Sequence, residues 1–170
     1  LFATHALDAL KTLTGLNLCR AENPVYVTQH ADSFVEASAI LKTAAVNLIK
    51  LADDLRRLSL VKEVRLAPVQ AGSSIMPGKV NPVQPEAVIQ ACLRVLSDDA
   101  LLAEAAARGS LQINEFMPLI AFSLLESLKL LKKAAPVMTC CVRELNVDEG
   151  RIRAAFDASP VIMTAFLPLL

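Results

Sequence analysis

Apolar residues recur at helical spacing along most of the chain. Between residues 32 and 58, Phe34, Ala37, Leu41, Ala44, Ala45, Leu48, Ala52 and Leu55 keep an i, i+3, i+4 rhythm, while Glu36, Lys50, Asp54 and Arg57 fall largely off it. That pattern predicts one long helix with an apolar face, spanning roughly 40 Å at 1.5 Å per residue. A first helix is predicted over residues 1–13, with Gly15 as its C-cap. Residues 17–29 read as a connection, with a turn signal at Asn23-Pro24. Two more long helices are predicted over residues 82–107 and 114–145. Pro82 and Pro85 fit only in a first turn, because proline lacks the N–H that a helix interior requires. Gly109 closes the earlier helix, and Pro136 must kink or break the later one. The later helix carries Phe116, Leu119, Ile120, Phe122, Leu124, Leu125, Leu128, Leu130 and Leu131 nearly all the way round, which predicts burial on every side. Asp148 reads as the N-cap of a short helix through Phe156, before Pro160 interrupts. No clear alternating strand occurs; residues 25–28 and 64–66 come nearest. The fold class is all-α, a long-helix bundle.

Composition sharpens this. Apolar residues make up 54% of the 170 positions, and the mean hydropathy is +0.47. This exceeds what one compact monomer comfortably hides, which points to self-association through helix faces. No stretch of about 18 uninterrupted apolar residues exists to span a membrane. The richest segment, residues 118–131, is broken by Ser123, Glu126, Ser127 and Lys129. No secretory leader pattern opens the chain. Lys and Arg number 17, as do Asp and Glu, and this balance argues against a nucleic-acid binder. Cys19, Cys92, Cys140 and Cys141 show no C-x-x-C spacing, and His5 and His30 fit no metal pattern. The Cys140-Cys141 pair reads as two small hydrophobes, and a reducing, cytoplasmic setting is expected. Apolar ends at Leu1 and Leu169-Leu170 lead to the expectation of a piece of a longer polypeptide.

Residues 72–82, GSSIMPGKVNP, differ from everything around them. Two glycines accompany hydroxyls, a cation and an amide, directly before a predicted helix. A helix N-terminus favours an anion. Lys79 adds a full charge, and Ser73, Ser74 and Asn81 add neutral donors. An anion-binding loop able to close on its ligand is one reading; a plain Gly/Ser/Pro connection with a solvated lysine is the other. The order of a nucleotide P-loop is absent.

The same eleven residues are similar to the signature G-S-S-x-M-P-x-K-x-N of the aspartase/fumarase superfamily, with every fixed position matched. The resemblance extends further. Residues 14–36 resemble the connection entering the family's first long bundle helix. Residues 51–56 resemble that helix's closing segment, and residues 111–118 the start of the next bundle helix. It implies the family's central helical domain, of which four copies form a tetramer core. On that basis residues 1–146 are expected to be part of that domain, with residues 59–81 as the signature loop, and residues 147–170 to start a small C-terminal domain. Within the family, Val69-Gln70-Ala71, Val83-Gln84-Pro85-Glu86, residues 111–114 and Thr28-Gln29 lean toward the aspartase branch over the fumarase branch.

The family's reaction is a reversible elimination that yields fumarate, from a small dicarboxylate substrate and with no metal or organic cofactor. The resemblance implies that Ser73 is the general base and that Ser74, Lys79 and Asn81 bind substrate, with Gly72, Met76 and Glu86 in support. In the family the acid matching Glu86 pairs with a histidine from another segment; a carboxylate complementing the helix dipole is the plainer reading. His30 is not that histidine and reads as an ordinary polar residue, and Asn114 reads as a helix N-cap. Two departures stand out. Where the family carries a Gly-Pro-Arg loop, residues 58–64 are several residues shorter. The family site also draws on three sequence regions from three subunits, and the two upstream regions are absent, so the isolated chain is expected to be inactive. A catalytically silent helical oligomerisation module is the alternative of another class.

Overall fold

The computed structural model describes residues 1–70, 75–76, 78–161 and 163–164. Helix α1 runs over Phe2–Thr14 and ends at Gly15, whose φ of 67° lets its N–H reach the Lys11 carbonyl. The connection expected over residues 17–29 is not irregular throughout. Asn23-Pro24 opens a short helix, α2 (Pro24–Gln29), in which the Asn23 side chain accepts the Tyr26 N–H. An Asx residue followed by proline is as good a helix start as a turn, because proline's missing donor is an orphan there anyway.

Three long helices carry the core: α3 (Asp32–Leu60), α4 (Val83–Ala106) and α5 (Met117–Arg143). Their buried positions follow a seven-residue repeat. On α3 these are Ser38, Ala45, Ala52 and Leu55, with Leu41 and Leu48 half-buried between them. On α5 they are Ile120, Ser123, Ser127, Ala134, Met138 and Cys141. Such a repeat keeps one seam facing its neighbours along the whole helix. Ser38 meets Asp99 while Arg56 meets Glu86, so α3 and α4 run antiparallel. Val88 and Cys92 pack with Met138 and Cys141, and Leu102 with Ile120, so α5 turns back again.

Of the two outcomes expected at Pro136 the break does not occur, and the burial expected all round α5 is not met. Pro136 sits inside a helix that continues to Arg143; it is exposed, and tertiary packing of Ala134, Met138 and Cys141 outweighs the loss of one backbone bond. The apolar face carrying Phe122, Leu125 and Leu128 is not covered by the described residues; these side chains are 58, 55 and 45% exposed. The three-helix core occupies only one side of α5.

A polar layer divides the core. Along α4 it falls at Asp98 and Asp99, between Val95 in one apolar cluster and Leu102 in the other. Ser38 Oγ donates to Asp99 Oδ1 at 2.7 Å and Lys42 Nζ to Oδ2 at 2.8 Å. Desolvation pushes the Asp99 carboxyl up, but the hydrogen bonds from Lys42 and Ser38 together outweigh it and hold its pKa below the ordinary value. A lowered native pKa means the unfolded chain binds the proton first. The stabilisation is therefore complete above about pH 4 and fades as pH falls through the native value. Stability measured by denaturant titration is expected to fall on acidification from pH 5 toward pH 3 less steeply in Asp99→Asn than in the unaltered chain.

Two ties position the ends of the bundle. Asn114, buried, donates to the carbonyls of Ala105 and Ala106, accepts the Phe116 N–H, and has its own N–H on the Thr28 carbonyl. This corrects the capping role expected of Asn114: α5 begins at Met117 with Phe116 as its N-cap and no side-chain cap bond, and Asn114, two residues earlier, instead ties the end of α4 to the approach to α5. At the other end, β1 (Val64–Arg65) pairs antiparallel with β2 (Asn146–Val147), Val64 opposite Val147. This small ribbon fastens the segment after α3 to the segment after α5. It also delivers α6 (Glu149–Asp157), where Asp148 accepts the Arg151 N–H as the expected N-cap.

Candidate active site

Of the residues singled out in the sequence, Gly72, Ser73 and Ser74 lie outside the described residues. The described part of the segment starts with Ile75 and Met76, both exposed. The Lys79 N–H donates to the Met76 carbonyl at 3.2 Å, closing a turn. Gly78 has a φ of 79° and nothing within 4 Å of where a Cβ would stand. Glycine is thus required at that position by backbone conformation and not by space. Lys79 and Asn81 emerge exposed on the approach to α4.

The start of α4 offers fewer donors than an ordinary helix N-terminus. The first turn of a helix normally leaves four unpaired N–H groups. Here Pro82 and Pro85 have none, and the Val83 N–H is taken by the Asn81 carbonyl at 2.9 Å. Gln84 supplies the one amide left in that turn. Attraction for an anion at this end comes mainly from Lys79 and the helix dipole.

Glu86 lies one turn into α4, half-buried, with Oε1 3.9 Å from Arg56 Nε. Arg56 also bonds Asp53 at 3.1 Å through Nη1, and Arg57 bonds the other oxygen of Asp53 at 2.8 Å. The Arg57 hydrogen bond is the main cause of an Asp53 pKa below the ordinary value. Glu86 therefore faces the end of α3 and its guanidinium. His30 belongs to the other end of the molecule. Its ring stacks 4.4 Å from that of Tyr26, beside the Thr28–Asn114 tie to the end of α4. The length of α4 separates His30 from Glu86 by roughly 30 Å at 1.5 Å per residue.

Asn81 and Pro82 also line a cleft of about 440 Å³, together with Ser59, Lys62, Arg65 and Arg151. Sequence reasoning passed over these three cations. They are spread over some ninety residues of chain, and only the β1–β2 pairing brings them together. Among the described residues, no three His, Cys, Asp or Glu side chains gather in a metal-binding group, and no helix is long and apolar enough to cross a membrane.

Comparison with known proteins agrees with this picture. The sequence model of a family described as Lyase matches residues 1–97. Aspartate ammonia-lyase of Pseudomonas fluorescens is 39% identical over 171 aligned residues, covering 97% of this chain and 36% of that protein. Class II fumarate hydratase of Mycobacterium tuberculosis is 38% identical, covering 96% of this chain and 36% of that protein. Among solved structures, a fumarate lyase:delta crystallin from Brucella melitensis in native form superposes with a TM-score of 0.89 at 40% identity, covering 99% of this chain and 41% of that one. The chain spans little more than a third of the length of the curated relatives it matches.

Proposed function

Because the chain belongs to the aspartase/fumarase lyase family, we propose that it contributes the signature-loop region of an enzyme that eliminates ammonia from L-aspartate to give fumarate. The observation that carries this reading is the unbroken match of residues 72–81 to the family signature, directly before α4. Relatives named for aspartate and for fumarate hydration match about equally well. The preference for aspartate rests on Val69-Gln70-Ala71 and Val83-Gln84-Pro85-Glu86.

In the proposed reaction, Ser73 as alkoxide removes a proton from the carbon beside the distal carboxylate. The electron pair moves into that carboxylate, forming a dianionic aci-carboxylate. Its collapse forms the carbon–carbon double bond and expels ammonia. Ser74, Lys79 and Asn81 hold the carboxylate as its charge grows, and only interactions that strengthen with that charge speed the step. A serine alkoxide at neutral pH requires the same donors and a site closed to water. Gly72 and Met76 shape the loop; Glu86, braced by Arg56, sets its junction with α4.

Residues 1–146 then form part of a central helical domain, and residues 147–170 begin a smaller C-terminal one. The uncovered face of α5 supports self-association, read as a homotetramer. The isolated chain, carrying one of the site's three regions, is expected to release no fumarate. The gene product that joins it to the other two regions, incubated with L-aspartate or L-malate, is expected to raise the ultraviolet absorbance of fumarate with aspartate only. Turnover of malate alone would move the assignment to hydration, and turnover of neither would make the chain a silent helical module.

A further inference from the structure

We propose that the cleft between the end of α3, the β1–β2 ribbon and the start of α6 binds a small polyanion, a molecule with two or more carboxylate or phosphate groups, through Lys62, Arg65 and Arg151. The proposal goes beyond the elimination chemistry: the cleft borders the proposed substrate contacts at Asn81, but its three cations have no part in that reaction. The cleft, about 440 Å³, is lined by these three cations together with Ser59 and Asn81 and, among the described residues, by no acidic residue. That volume suits a small metabolite. A concave surface lined by one sign of charge concentrates ions of the other.

Two further observations point to a ligand. The first is Lys62. The end of α3 is a two-bond C-terminal motif in which the Lys62 N–H donates to Ser59 and the Glu63 N–H to Leu58. The residue in Lys62's place must be left-handed, and its φ is 64°. Glycine takes that conformation readily, whereas a side chain with a Cβ resists it. A lysine stands at a position that glycine would occupy with less strain, and it is one of the residues lining the cleft. The second is how the cations are held. Arg65 is fixed from one side by Asp148 Oδ2 at 2.8 Å, and the same Asp148 caps α6 through the Arg151 N–H at 3.1 Å. One carboxylate thus sets the ribbon and α6 in place and offsets one of the three charges. Among the described residues, Lys62 and Arg151 form no ion pair, so their donors remain free for a ligand.

Titrating the full chain with citrate, succinate and inorganic phosphate, by calorimetry and by amide chemical shifts, tests this. Binding of at least citrate or phosphate at one site is expected. Lys62→Gln and Arg151→Gln are each expected to weaken it about tenfold, the loss of one charged hydrogen bond, while Lys79→Ala leaves it unchanged. The ranking of citrate and succinate against phosphate separates a carboxylate ligand from a phosphate one. Lys62→Gly is expected to lose affinity equally while raising the melting temperature by about 2–4 °C. Absence of binding by all three probes overturns the proposal. So does binding that survives both cleft substitutions, or that disappears only in Lys79→Ala; that last result would move the anion to the signature segment and leave the elimination reading standing.

Discussion

Ser73→Ala is expected to lower turnover of L-aspartate by the assembled enzyme by about 10²–10⁴-fold, the range for removing a positioned general base. A methyl group cannot accept the proton from carbon, and the neighbouring hydroxyl of Ser74 is one residue away along the loop. The Michaelis constant is expected to change little, because the contacts assigned to Lys79 and Asn81 remain. Steady-state kinetics followed by fumarate absorbance provide the check. Lys79→Ala is the companion measurement: removing a donor that stabilises developing charge typically lowers kcat by about 10²–10³-fold. If Ser73→Ala retains turnover within about tenfold of the unaltered enzyme, Ser73 is not the base, and the mechanism proposed here fails at its first step.

Charging the open face of α5 is expected to abolish self-association. Phe122 and Leu125 are more than half exposed and lie on the side of the helix away from Ile120, Ser123 and Ser127. Burying a large apolar side chain contributes about 1.5–3 kcal/mol, and a two-fold interface repeats each contact. Both side chains being already close to half covered within the chain, the pair Phe122→Glu with Leu125→Glu removes roughly 3–7 kcal/mol from a symmetric contact, before counting the desolvation of the new carboxylates. Sedimentation is expected to show a single chain, while far-ultraviolet circular dichroism retains its helical signal because neither side chain serves the internal core. An assembly of unchanged mass would show that another surface joins the copies.

Much of the fold was legible because helices announce themselves locally. Spacing at i, i+3 and i+4 marked α3; Pro82, Pro85 and Gly109 bounded α4; and a dense apolar run marked α5, each to within a few residues. Gly15 and Asp148 were readable as caps because a cap is settled by residues at most four apart. Where local cues conflicted, neighbours decided. Asn23-Pro24 is compatible with both a turn and a helix start, and Pro136 with a break or a tolerated irregularity. The apolar girth of α5 was visible, but not which side the rest of the chain would leave bare.

The family membership was legible too, since the signature lies in ten consecutive residues, 72–81. What faces it was not. Arg56 reaches Glu86 because α3 and α4 run antiparallel, and nothing in the two residues' own surroundings requires it. The left-handed backbone of Lys62 could not be inferred from a residue type that seldom adopts it.

The sequence by itself determined the helices, their caps and the family's loop, because each depends on residues close together along the chain. Only the tertiary structure decided that Ser59, Lys62, Arg65, Asn81 and Arg151 share one cleft. That gathering rests on pairing Val64 with Val147 and on a single Asp148 carboxylate bridging Arg65 and the start of α6. Contacts between segments so far apart carry no periodicity for a sequence to display.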